Sequence, residues 1–142
     1  MGRGWLAAVV CIMGLAACQP SSEPIEVSQV WGPEVPAVAQ NGIFYLQISN
    51  HSPADDWLVA VESPGCTTAE LHETYENEHG LMGMRYLAYG LAIPAGETLT
   101  LDVGGYHVMC LGKTADFRAG ERIPLSLTFT AAGELTVEAE IH

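Results

Sequence analysis

A chain of 142 residues with 49% hydrophobic content is long enough for one domain with a real core and too short for two of ordinary size. Seventeen acidic residues against five basic ones give a formal charge of −12 at neutral pH. That balance argues against nucleic acid and bare anionic lipid as partners and favours cations and basic protein faces, although acidity alone is most often a solubility feature.

The first segment does not belong to the domain. Met1 to Trp5 carries one positive charge, at Arg3, and Leu6 to Leu15 is an uncharged apolar run. About ten apolar residues cannot cross a bilayer that needs roughly twenty, so the segment reads as a secretory signal peptide. Leu15-Ala16-Ala17-Cys18 follows at once and resembles the bacterial lipobox, in which the cysteine becomes the lipidated first residue of the mature protein. The alternative is ordinary cleavage near Ala17, with Cys18 a chance occupant. Gln19 to Pro24 is polar and proline-rich, as a short tether would be. The expected division is a cleaved leader over 1–17, a flexible tether over 18–24 and one domain over 25–142. Such a protein sits in the cell envelope, facing the periplasm or the extracytoplasmic side, and touches the membrane through its lipid alone. Loss of 1–17 leaves Arg85, Lys113, Arg118 and Arg122 against all 17 acids.

Beyond the tether the chain predicts strands near Ile25–Trp31, Ile43–Ser49, Trp57–Glu62, Thr68–Tyr75, Leu81–Leu87, Thr98–Val103, Tyr106–Leu111, Ile123–Thr130 and Glu134–Ile141. Each is short, rich in β-branched or aromatic residues, and bounded by Gly, Pro, Asn or Asp. Leu125, Leu127 and Phe129 alternate with Ser126, Thr128 and Thr130, and Leu135, Val137, Ala139 and Ile141 alternate with Thr136, Glu138 and Glu140. A period of two puts one face in the core and the other in water. Gly104-Gly105, Pro94-Ala95-Gly96 and Ala131-Ala132-Gly133 mark reversals. No stretch shows a sustained helical period. The fold class is therefore all-β, a single antiparallel sandwich or barrel of eight or nine short strands.

His107-Val108-Met109 places an imidazole and a thioether at i and i+2 of a strand, hence on one face. Beyond the leader the only methionines are Met82, Met84 and Met109, all in the half of the chain that holds His72 and His107. Methionines used as core filler would be expected to scatter among the strands. Taken singly, a strand His is more often a surface residue and a Met more often core. Together, two nitrogen and two soft sulfur donors suit Cu(I) better than zinc, magnesium or calcium. Met82 shares parity with Met84 and is a possible auxiliary ligand. His79, in the acidic loop with Glu76 and Glu78, is a possible entry ligand, though a solvated loop explains it as well. His51 and His142 read as surface residues.

Cys66 and Cys110 are the cysteines left in the domain, and an exported chain with two internal cysteines usually pairs them. Parity points Cys110 away from His107 and Met109. An unbroken strand would put Cys66 on the side of His72, but Pro64-Gly65 just before it predicts a turn that lifts that constraint.

Five runs, Ala69-Glu70-Leu71-His72-Glu73, Met82-Gly83-Met84-Arg85, Ile93-Pro94-Ala95-Gly96-Glu97, Gly104-Gly105-Tyr106-His107-Val108-Met109 and Ile123-Pro124-Leu125-Ser126-Leu127-Thr128-Phe129, stand in an order and spacing that resembles the periplasmic copper chaperone family PCu(A)C. The resemblance covers most of the chain after about residue 26. It implies a cupredoxin-like barrel, Cu(I) held by His72, Met84, His107 and Met109, and delivery toward the binuclear copper centre of cytochrome c oxidase, with an oxidase subunit or a thioredoxin-like assembly factor as the copper-accepting partner. In the terms of such lipoproteins, the lack of Asp after Cys18 would favour the outer over the inner membrane in a Gram-negative cell, and the sequence does not establish the envelope type. Glu73 stands where the family often has Met, and the chain lacks a His- and Met-rich tail, so no second Cu(II) site is expected. The rival readings are a metal-free lipoprotein binding module and a blue-copper electron carrier, which would need a Cys thiolate beside two imidazoles. Nothing resembles a nucleophile paired with a base, so no enzyme is expected.

Overall fold

The computed structural model describes Met1 and residues 23–142. The expected leader beyond Met1, the expected lipidation residue Cys18 and most of the expected tether lie outside the described residues. Ten strands follow: β1 Ile25–Gly32, β2 Gly42–Asn50, β3 Asp56–Glu62, β4 Cys66–Glu76, β5 Met82–Tyr86, β6 Leu91–Ile93, β7 Thr98–Leu101, β8 Tyr106–Lys113, β9 Arg122–Phe129 and β10 Gly133–Ile141. No helix occurs among the described residues.

All nine expected strands are present, and β6 is one more. Its three residues lie between Gly90 and Pro94 and are too few to display a period. The strands run β5-β4-β8-β2-β1-β10-β9-β3-β6, with β7 also paired to β2. Long β2 makes the join: Gly42 to Phe44 pair with β8, and Leu46 to Ser49 pair with β7. The pairing is antiparallel except between β1 and β10, which run parallel through Trp31–Glu140 and Gly32–Ile141, a departure from the all-antiparallel expectation. A parallel pair needs a long crossover rather than a hairpin. These two strands stand at opposite ends of the domain's sequence, so the whole domain is the crossover.

The alternating strands deliver their apolar faces to one core. Leu125, Leu127 and Phe129 of β9 meet Phe44, Leu46 and Ile48 of β2, with Leu58, Ile93, Val108, Phe117 and Ile141. Two buried polar residues brace the loops around it. Asn50 donates to the carbonyls of Ala54 at 2.8 Å and Ile93 at 2.9 Å, and accepts from the Ser52 amide and hydroxyl. The Asp56 carboxylate accepts backbone N–H groups from Trp57, Ala131 and Ala132 at 2.8 to 2.9 Å, tying β3 to the β9–β10 turn. Groups so satisfied avoid the penalty of burying an unpartnered polar atom.

Cys66 and Cys110 form a disulfide, with Cα atoms 5.4 Å apart and a sequence separation of 44. The parity conflict at Cys66 is relieved at both ends. The Cys66 amide donates to Ser63 across the Pro64-Gly65 turn, and Gly112 on β8, whose carbonyl accepts from the hydroxyl of Thr67 beside Cys66, adopts a left-handed φ of 64°. Cys110 is fully buried in the core. A crosslink closing a loop of this size contributes on the order of 2 to 4 kcal/mol.

Candidate metal centre

Three neighbouring strands, β5, β4 and β8, carry the candidate donors. In the β4–β8 register His72 stands directly opposite His107, Glu70 opposite Met109, and Leu71 opposite Val108. Leu71 and Val108 are buried in the core, so by alternation the histidines, Glu70 and Met109 belong to the outer face. In the β4–β5 register Tyr86 faces His72, Met84 faces Thr74, and Met82 faces Glu76. Residues 72, 74, 84 and 86 therefore share that face with His107 and Met109.

The structure brings His72 and His107 into contact, with ring centroids 5.8 Å apart. Although on the outer face, His107 is only 2% exposed. Its Nδ1–H donates to the Gly105 carbonyl at 3.1 Å, which leaves Nε2 as the nitrogen with a lone pair. That Nε2 is buried and has no hydrogen-bond partner. Burial, and then the neighbouring His72, push the His107 pKa below the ordinary histidine value against the opposing pull of the Gly105 carbonyl, which favours the neutral form of the ring. On His72, Nε2 lies 2.8 Å from Glu70 Oε2, and Nδ1 is the second buried nitrogen without a partner. Leaving two such atoms unpaired costs about 1 to 3 kcal/mol each. A soft cation between the rings would satisfy both.

The thioethers flank this pair along the strand direction. Met109 is partly buried, two residues beyond His107 on the same strand. Met84 lies on the far side of β4, offset by two positions from the His72 level, and is 52% exposed. Its three side-chain torsions give it the reach to fold over the rings. Met82 is two positions farther out and more exposed. His79 sits in the turn beyond the hairpin, where its amide donates to Asn77 Oδ1, four or more strand positions from His72, so it is not brought to the pair. His51 pairs with Glu26 on the surface, and His142 stacks on Trp31 at 4.9 Å, a contact that sequence did not signal.

Two neighbours were not singled out by sequence. Tyr86 faces His72 with ring centroids 6.1 Å apart, and Glu70 holds the His72 Nε2. Glu70 was findable, since an acid two residues before a strand histidine shares its face. Behind the hairpin, Arg85 makes two hydrogen bonds to Glu73 and lies 5.4 Å over the Tyr75 ring, and Tyr75 packs closely against Gly83, bracing β5 against β4. Among the described residues, no three His, Cys, Asp or Glu side chains converge as a metal site. Any further donors beside the two imidazoles must come from outside that set, and the thioethers are the soft atoms at hand. Both described cysteines are bonded to each other, which removes the thiolate a blue-copper centre requires.

Comparison with solved structures identifies the fold as that of PCuAC domains, cupredoxin-like. The chain superposes on the apo PCuAC domain from PmoF1 with a TM-score of 0.69 at 26% identity, covering 84% of this chain and 93% of that one. The Cu(I) form of DR1885 from Deinococcus radiodurans gives a TM-score of 0.66 at 29% identity over 88% and 84% of the two chains. The copper-bound PCuAC domain from PmoF2, at 19% identity and a TM-score of 0.69 over 84% and 92%, shares the fold. Among curated proteins, "Putative lipoprotein Lxx21020" of Leifsonia xyli subsp. xyli (strain CTCB07) is 29% identical over 132 residues, 84% of this chain and 76% of that protein. A family model described as "Putative lipoprotein LpqE-like" matches residues 25–141, the whole strand-bearing domain, and the chain belongs to this LpqE-like family.

Proposed function

We propose that this protein is an exported copper chaperone that binds one Cu(I) ion as cargo and hands it to a copper-requiring acceptor. The observation that carries the reading is the pair of buried, partnerless imidazole nitrogens, His72 Nδ1 and His107 Nε2, on a face that also bears Met84 and Met109. The likeness to Cu(I)-bound DR1885 at 29% identity supports the same reading. The two thioethers carry no charge, so Cu(I) binds without displacing a proton from sulfur, and the lack of a thiolate keeps the ion releasable. Met84, exposed on an edge strand, is the donor an acceptor meets first. The protein is a carrier rather than an enzyme.

The finer parts of the proposal follow from sequence. Residues 1–17 are a lipoprotein leader, Cys18 carries the lipid, 18–24 is the tether, and 25–142 is the carrier domain on the extracytoplasmic side. The acceptor is a copper-dependent protein of the same compartment, with the binuclear copper centre of cytochrome c oxidase, directly or through a thioredoxin-like assembly factor, as the proposed destination.

The test is an anaerobic Cu(I) titration of the soluble domain against a competing chelator. One equivalent should bind, and Met84→Ala and Met109→Ala should each weaken binding by roughly tenfold or more, the scale on which losing one metal-site partner is felt. Unchanged affinity in both variants would refute the ligand set, and no binding at all would leave the metal-free module as the better reading.

A further inference from the structure

Resting on the copper reading above, we infer that Glu70 is a positioning residue that fixes the His72 ring so that Nδ1, not Nε2, faces the metal. Glu70 Oε2 lies 2.8 Å from His72 Nε2. A carboxylate only accepts hydrogen bonds, so Nε2 must carry the proton, and in the uncharged form of the ring the lone pair is then on Nδ1. That Nδ1 is the atom found buried and without a partner. His107 is held in the opposite sense, with Nδ1–H on the Gly105 carbonyl and Nε2 bare. The two histidines therefore offer different ring nitrogens to one ion, each selected by an acceptor on the far side of its ring.

The Glu70–His72 contact is unlike the other acid–histidine contact on the molecule. His51 and Glu26 are 45% and 62% exposed at their side chains, whereas His72 and Glu70 are 15% and 30% exposed. Glu70 also faces Met109 across the β4–β8 register, so its carboxylate stands beside two of the four proposed donors. It acts through His72 and not as a ligand, since its carboxylate is a hard donor engaged with the ring nitrogen turned away from the site.

The experiment reads the ring directly. Long-range proton–nitrogen NMR of the ¹⁵N-labelled apo domain should show His72 as the Nε2–H tautomer and His107 as the Nδ1–H tautomer, and Cu(I) should then shift Nδ1 of His72 and Nε2 of His107. Glu70→Ala should mix the His72 tautomers and lower Cu(I) affinity by about ten- to a hundredfold, while Glu70→Gln, which retains an acceptor oxygen, keeps the tautomer and most of the affinity. The inference is overturned by an apo His72 protonated at Nδ1, by a Glu70→Ala variant with native tautomer and affinity, or by a Glu70→Gln variant that loses as much affinity as Glu70→Ala with its tautomer intact, which would assign the effect to charge. A native chain that binds no Cu(I) would overturn the copper reading beneath it, and is told apart because the apo tautomer is measured without metal.

Discussion

His51 and His107 are the same residue type in opposite circumstances, and surroundings alone separate a surface group from a candidate ligand. His51 is exposed and paired with Glu26, while His107 is buried with one nitrogen satisfied and the other bare. Strand parity made the shared face of His107 and Met109 legible in the sequence. It could not show that His72 and His107 would stand directly opposite one another, because that depends on the β4–β8 register, a long-range pairing. Nor could it show that Tyr86, rather than Met84, lies level with His72. Asp56 carries the residue-scale stability prediction. Burial alone would raise its carboxyl pKa, but the N–H groups of Ala131, Trp57 and Ala132 outweigh this and hold it below the usual carboxylate value. A depressed folded pKa contributes stability that is present above the unfolded value, near pH 4, and lost as pH falls through the folded one. Urea unfolding should therefore show Asp56→Asn weaker by about 1 to 3 kcal/mol at pH 7, with the gap to the native protein narrowing in acid. An unchanged gap at low pH would assign the loss to packing instead.

Among the elements, β5 and β6 are the two ends of the strand order, and each tests a different kind of legibility. β5 was visible from Met82-Gly83-Met84, yet it pairs only with β4, so Glu73, Arg85 and Tyr75 supply bracing that most strands obtain from a second neighbour. β6 was invisible, because its three residues are placed by the turn before it rather than by their own pattern. At that turn Gly90 has φ of 73°, and a Cβ there would lie 2.2 Å from the Leu58 carbonyl oxygen on β3. Since backbone cannot yield as a flexible side chain can, Gly90→Ala should destabilise the fold by about 2 kcal/mol or more, read as a lower urea midpoint with an unchanged slope. Cu(I) affinity of the folded protein should not change, because this turn contributes none of the proposed donors.

At the scale of the molecule, the all-β class and nine of ten strands followed from period-two alternation and turn residues, as did the disulfide from two cysteines in an exported chain. What sequence could not supply were the long-range pairings, among them β4 on β8 and the parallel closure of β1 on β10. The sandwich divides its labour by face. Sheet interiors carry Phe44, Leu127 and the Cys66–Cys110 bond, and the outer face of β5, β4 and β8 carries nitrogen and sulfur. The disulfide leaves neither described cysteine as a free thiol, and the proposed donors stand on an acidic body that draws in cations. The most direct test is X-ray absorption at the copper edge on the anaerobic one-to-one Cu(I) form. The expected result is a mixed shell of two imidazole nitrogens and two sulfurs that loses one sulfur in Met84→Leu and none in Met82→Leu, and a shell of nitrogen and oxygen alone would contradict the proposed ligand set.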